Sequence, residues 1–154
     1  MIKPFVIDSC ALMNACHNYN MSSQFFSQVW EAFNELISKG ELISTSEVME
    51  ELKEDDLSKW AKQHKDCFVP LSREIQDKTS EILKLYPMLI KMKSMGNSNA
   101  DPFLIATAII HKGTLVTDES WGDERNGQFK IPNVCKALNV PCITLFQFMK
   151  EIMP

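Results

Sequence analysis

GNSNADPFLIATAIIHKGTLVTDE, residues 96–119, contains in order a cap, a buried helix, a turn and a strand. Proline suits the first helical position, because its missing N–H is one the helix leaves unpaired anyway, so Asp101 before Pro102 falls on the N-cap. The following FLIATAII is apolar nearly all round, and a helix with so little polar face belongs inside a domain. Lys112-Gly113 ends it, with Gly113 placed to take the left-handed conformation, and Thr114 to Thr117 reads as a β-branched strand closed by Asp118 and Glu119. In an α/β sheet, ligands gather at the carboxyl ends of strands and at the helix N-termini facing them. This stretch places acids at both kinds of position.

Moving outward, the remaining chain repeats the alternation. Pro4 to Ile7 is a short apolar run of the kind that forms a central strand, and Asp8 closes it, with Ser9 placed to cap a helix over Ala11 to His17. Ser22 or Ser23 opens a second helix, on which Phe25, Phe26, Val29, Trp30, Phe33, Leu36 and Ile37 form a wide apolar stripe, and Gly40 ends it. Leu42 and Ile43 begin a short strand, and Ser44, Thr45 and Ser46 offer caps for SEVMEELK. There Glu47 and Glu51 share a face, and Glu50 is turned about 100° from Glu51. DDLSKWAKQHKDCF reads as a surface helix. Ser72 caps a long helix that Pro87 stops, and Met88 to Met95 continues as a short one. Trp121 to Lys130 is a loop, Pro132 to Leu138 a helix, Pro141 to Thr144 a strand, and LFQFMKEIM the terminal helix. Strands at 4–8, 42–44, 114–118 and 141–144 separated by helices imply a mostly parallel sheet with helices on both faces.

Length and composition agree with this reading. A chain of 154 residues with 45% hydrophobic content suits a single domain over residues 1–154 with a real core. Its five cysteines are scattered and odd in number, which suggests neither a disulfide framework nor a zinc knuckle, and points to a reducing compartment. No stretch approaches the roughly 18 apolar residues of a membrane span, so a cytoplasmic protein is expected. A formal charge of −4 argues against coating nucleic acid by charge alone, since such proteins are basic. It leaves room for acids gathered around a divalent cation that itself meets phosphate.

Each acid has an ordinary explanation when taken alone: a helix cap for Asp101, a solvated face for Glu47, Glu50 and Glu51, a polar strand end for Asp118 and Glu119. Asp8 is harder to dismiss, because a carboxylate directly after a buried strand must be paired, capped or bound to metal. Together, acids converging at one sheet edge repel each other and raise one another's pKa unless a cation neutralises them. Hard oxygen ligands without His or Cys suit magnesium or manganese.

The order Val6-Ile7-Asp8-Ser9, Ile43-Ser44 with Val48 and Glu51-Leu52, Ala100-Asp101 leading Ile105-Ala106-Thr107-Ala108, and Leu115-Val116-Thr117-Asp118-Glu119 resembles the PIN domain across residues 4–146. The resemblance implies a three-layer α/β nuclease fold that binds Mg2+ or Mn2+ through acids and cuts RNA. Many small members are toxins of bacterial toxin–antitoxin pairs, silenced by an antitoxin protein. By position, the catalytic acids are Asp8, Glu51, Asp101 and Glu119, with Asp8, Asp101, Glu119 and Asp118 as candidate metal ligands. Glu50 competes with Glu51, and Asp118 with Glu119. Ser9, Thr117 and Asn99 are candidate substrate contacts, with Asn97 and Ser98 beside the path. Lys59, Lys62, Lys65, Lys91 and Lys93 are candidate phosphate contacts, with solvated helix faces the preferred reading for each. The helices between Asp55 and Met95 exceed those of the smallest members and imply a divergent branch.

Two other classes use the same residues differently. A phosphohydrolase acting on a small phosphate ester would need the same acids, but Asp8 is followed by Ser9 and Cys10, so an Asp-x-Asp mechanism lacks its second acid. In a non-catalytic binding module the acids only cap helices. A dinucleotide fold is disfavoured, because no Gly-rich loop follows any strand. The helix from Phe25 to Ile37 offers a homodimer or antitoxin surface, with the plain core reading preferred.

Overall fold

The computed structural model describes residues 3–89 and 100–153. Asn97, Ser98, Asn99, Lys91, Lys93 and most of the helix expected over Met88 to Met95 lie outside the described residues. Among the described residues there are five strands and eight α-helices: β1 (Phe5–Ile7), α1 (Ser9–Asn18), α2 (Ser27–Ser38), β2 (Leu42–Thr45), α3 (Ser46–Glu51), α4 (Asp55–Gln63), β3 (Phe68–Val69), α5 (Arg73–Leu85), α6 (Asp101–His111), β4 (Thr114–Val116), α7 (Ile131–Ala137), β5 (Cys142–Ile143) and α8 (Leu145–Ile152). The strands form one sheet in the order β3-β2-β1-β4-β5, and every neighbouring pair is parallel. This is the α/β class that the alternating pattern predicts.

The sheet is doubly wound. Connections from β1 run outward through β2 to β3, and the chain then returns to the other side of β1 to form β4 and β5. Right-handed crossovers in opposite directions put their helices on opposite faces. Accordingly α6 packs on α5, α7 and β1, whereas α1 packs on α3, α4 and α8, so the sheet lies between two helical layers. The strand order reverses between β1 and β4. At such a switch point the connections diverge to opposite faces and leave a crevice at the carboxyl edge.

Several local expectations are corrected. Ser9 does not cap α1; Asp8 does, its carboxylate accepting the Ala11 N–H at 2.7 Å. Asp101 is the first helical residue of α6, and Ala100 is its N-cap. Lys112, not Gly113, takes the left-handed conformation, with φ 54°. Gly113 is needed for another reason, since a Cβ there would collide with the Pro4 carbonyl oxygen. That absence lets β4 lie against the start of β1, where Thr114 N–H donates to Pro4 O at 2.9 Å. The segment read as a helix through Phe68 ends at Gln63, and Phe68–Val69 is a fifth strand.

The helix expected from Ser22 or Ser23 begins as a 3-10 turn capped by Ser23 and becomes α2 at Ser27. Val29, Trp30 and Phe33 are buried, and Phe33 meets Phe148 of α8 at 5.5 Å between ring centroids. Phe25 is 92% exposed, so the apolar stripe is narrower than its sequence suggests. Among the described residues, no helix is long and apolar enough to cross a membrane.

Candidate functional site

Asp8 leaves β1 at the carboxyl edge, directly beside β4, and its own N–H donates to Val116 O at 3.1 Å. Its side chain is 3% exposed. One carboxylate oxygen accepts from Ala11 N–H, and the other accepts from the Thr117 hydroxyl in a short hydrogen bond. Thr117, also buried, in turn accepts the Glu119 N–H at 3.0 Å, so one hydroxyl links the first acid to the backbone of the last. Burial raises the Asp8 pKa to about 7; the bonds from Thr117 and Ala11 oppose the rise, and the charges of Glu119 and Asp118 add to it. Cys10 feels the same environment, its thiol pushed up to about 11 first by burial and then by Asp8, Asp118 and Glu119.

Asp118 and Glu119, competitors in sequence, occupy different surroundings. Both Asp118 oxygens are engaged: Oδ2 accepts from Asn14 Nδ2 at 2.7 Å, and Oδ1 accepts from Leu145 N–H at 2.8 Å. Asp118 thus ties α1 to the first turn of α8, where a carboxylate also complements the helix dipole. Glu119 is half-buried, with Oε1 shut off from solvent. The role of Asn14 has no local signal in the sequence, because it is a helical asparagine 104 positions from its partner.

The second acid position has a similar pair. Glu50 is exposed and Glu51 half-buried, and Glu51 Oε1 is buried without a hydrogen-bond partner among the described residues. An unmatched carboxylate oxygen is unfavourable unless something at the site answers it. The helix α3 that carries Glu51 starts from the carboxyl end of β2 with Thr45 as its cap and rests on α1.

Asp101 reaches the same edge from the other layer. Helix α6 feeds β4 through Lys112-Gly113 at the amino edge, so its opposite end lies toward the carboxyl edge; eleven residues make it about 16 Å long. Asp101 is 5% exposed, and α6 packs on β1 and β2. Topology therefore brings the starts or ends of the four acid-bearing segments to one edge of the sheet. Ser9 is buried in the first turn of α1. Lys59 lines a separate cavity of about 250 Å³ with Trp60 and Gln63, and Lys62 and Lys65 are exposed on or just after α4.

The fit to a hard cation can be judged from these donors. Among the described residues, no three His, Cys, Asp or Glu side chains form a ready-made metal cage. Magnesium does not demand one, because it retains waters and binds through one or two carboxylates plus substrate phosphate. The donors are all carboxylates, Asp8 is strained toward its neutral form, and no ion pair among the described residues involves Asp8, Glu51 or Asp118. A divalent cation beside Asp8 and Glu119 would relieve that charge.

No curated protein matches the chain. A family model described as "Domain of unknown function (DUF4411)" matches residues 5–153, nearly its whole length, and the protein belongs to that family.

Proposed function

We propose that the protein is a divalent-metal-dependent endoribonuclease that hydrolyses RNA phosphodiester bonds at the carboxyl edge between β1 and β4. The observation that carries this reading is Asp8: a nearly inaccessible carboxylate, held at both oxygens, beside Asp118 and Glu119 at the switch point of the sheet. A carboxylate kept in a crevice where its charge is unfavourable supports a functional role beyond capping α1.

In this reading Asp8, Asp101 and Glu119 hold Mg2+ or Mn2+, and Glu51 completes or orients the shell. When bound, the cation polarises the phosphodiester, acidifies water and offsets charge in the displacement. Thr117 fixes the orientation of Asp8 by donating to it, and Asp118 holds α1 against α8 so that Asp8 and Glu119 keep their separation.

The resemblance to the PIN domain supports two further parts of the proposal: that the enzyme is the toxin of a toxin–antitoxin pair and that an antitoxin protein silences it. The five cysteines, all free, support a reducing cytoplasm. The competing reading is a binding module, favoured by the fact that Asp8 and Asp118 both serve as ordinary hydrogen-bond acceptors.

Incubating a mixed RNA pool with the protein and Mg2+ or Mn2+ separates the two. The nuclease reading expects cleavage that chelator abolishes and that folded Asp8→Asn and Asp101→Asn variants lack. Intact RNA with either metal, or cleavage that survives both substitutions, overturns it.

A further inference from the structure

Beside Glu119 a cleft of about 580 Å³ opens between the carboxyl ends of β4 and β5 and helices α7 and α8. Its volume is in the range of small-ligand sites. One wall is the indole of Trp121, 60% exposed, whereas Trp30 and Trp60 are each 5% exposed in the core. Lys136 Nζ lies over the face of the Trp121 ring, 5.9 Å from its centroid, and just outside the cleft Lys130 Nζ lies 3.5 Å from Ser120 Oγ. Gln147 also lines the cleft, and its Oε1 accepts the Thr144 N–H at 2.9 Å. That bond fixes the amide, and its Nε2 forms no hydrogen bond among the described residues, which leaves two donors for a ligand edge. The cleft thus offers an aromatic face, an oriented amide and the Lys136 ammonium, with carboxylates at one end and Lys130 just outside it.

We propose that this cleft is a nucleobase subsite: a base of single-stranded RNA displaces the Lys136 ammonium from the face of Trp121 and stacks there, Gln147 donates to its edge, and the displaced Lys136 meets an adjoining phosphate. The inference rests on the endoribonuclease reading and supplies its missing contact with substrate. Glu119 and Trp121 are two residues apart, at most about 7 Å of chain. A base on the indole therefore belongs to a nucleotide next to the phosphodiester at the acids. Stacking tolerates any base because every base has a π-face, whereas the amide gives preference among edges. The lysines also explain how a chain of net charge −4 meets RNA: local positive charge sits beside the acids.

The test uses the full chain carrying Asp8→Asn, so that RNA is bound without being cut, and reads anisotropy of a labelled random-sequence RNA hexamer. An abasic hexamer of the same backbone isolates the contribution of the bases. The hexamer should bind about tenfold more tightly than its abasic counterpart, in keeping with one stacked base. Trp121→Ala should erase most of that ratio, Trp121→Phe should keep it, and Lys136→Gln should weaken both probes alike. Trp121 is exposed, and unchanged thermal unfolding confirms that each variant is folded. Equal binding of the two hexamers, or a ratio indifferent to Trp121→Ala, overturns the subsite. The four nucleoside 5′-monophosphates, followed by quenching of Trp121 emission, separate a strand from a free nucleotide: binding as tight as that of the hexamer overturns the RNA assignment. The two proposals also fail separately. RNA cleavage by the Asp8 protein without base-dependent binding leaves the nuclease reading and removes the subsite, and base-dependent binding without cleavage does the reverse.

Discussion

Replacing Asp8 by asparagine should stabilise the protein at alkaline pH, although the substitution removes a buried hydrogen-bonded group. The unfolded chain releases the Asp8 proton near the ordinary value of 3.8, and the folded chain releases it near 7. Between those values the folded state holds the extra proton, so stability falls as pH rises through this window and the whole penalty is present above it. At about 1.4 kcal/mol for each tenfold change, the penalty is about 4 kcal/mol. Asparagine removes the charge but disturbs the bond from Thr117, a loss of about 1–2 kcal/mol. The net gain at pH 8 is about 2 kcal/mol, a rise in Tm of about 5 °C for a domain of this size. Thermal unfolding of both proteins at pH 5 and pH 8, with chelator present, measures it. The gain should shrink or change sign at pH 5, where Asp8 is protonated in the folded protein. A destabilisation of equal size at both pH values would refute the reasoning, because the Asp8 charge would then not be what the fold resists.

Other predictions concern the acid pairs and the sheet. Asp118→Asn should lower stability by about 1–3 kcal/mol, since its oxygens bind Asn14 and the Leu145 N–H, and Glu119→Gln should lower metal-dependent cleavage. Denaturation of the first variant and cleavage by the second measure these effects. Glu51→Gln should reduce cleavage by about 10–100-fold and Glu50→Gln hardly at all, in single-turnover assays, because only Glu51 turns a carboxylate oxygen inward. Gly113→Ala should destabilise by about 1–3 kcal/mol in urea titrations, its methyl group forced onto the Pro4 carbonyl where β1 and β4 pair.

What the sequence could convey divides along physical lines. Periodicity and strand-terminal acids are local, so the alternation of strands and helices and the positions of Asp8 and Thr117 to Glu119 could be read directly. Strand β3 could not, because two residues are too few for a period and Phe68–Val69 gains its partner from Ser44 and Thr45. The Asp8 cap was hidden because Ser9 offers an equally good capping side chain, and the choice depends on where β1 releases the chain. At Gly113 the local pattern points to a left-handed turn, but what excludes a side chain is Pro4, over a hundred residues away, rather than its own backbone angles. The distinction between Asp118 and Glu119 is also tertiary, decided by Asn14 and the start of α8. Trp121 lay in a segment whose glycines mark a loop, and nothing local shows that its indole borders a cleft built from β5, α7 and α8.

The most direct test of the acid site requires no knowledge of the RNA it acts on. Calorimetric titration of Mn2+ into the protein and into its Asp8→Asn and Glu119→Gln variants, all verified as folded, asks whether these carboxylates hold a cation. The account predicts saturable binding that each substitution abolishes or weakens at least tenfold. Absence of binding to the unaltered protein, or affinity unchanged in both variants, would contradict it.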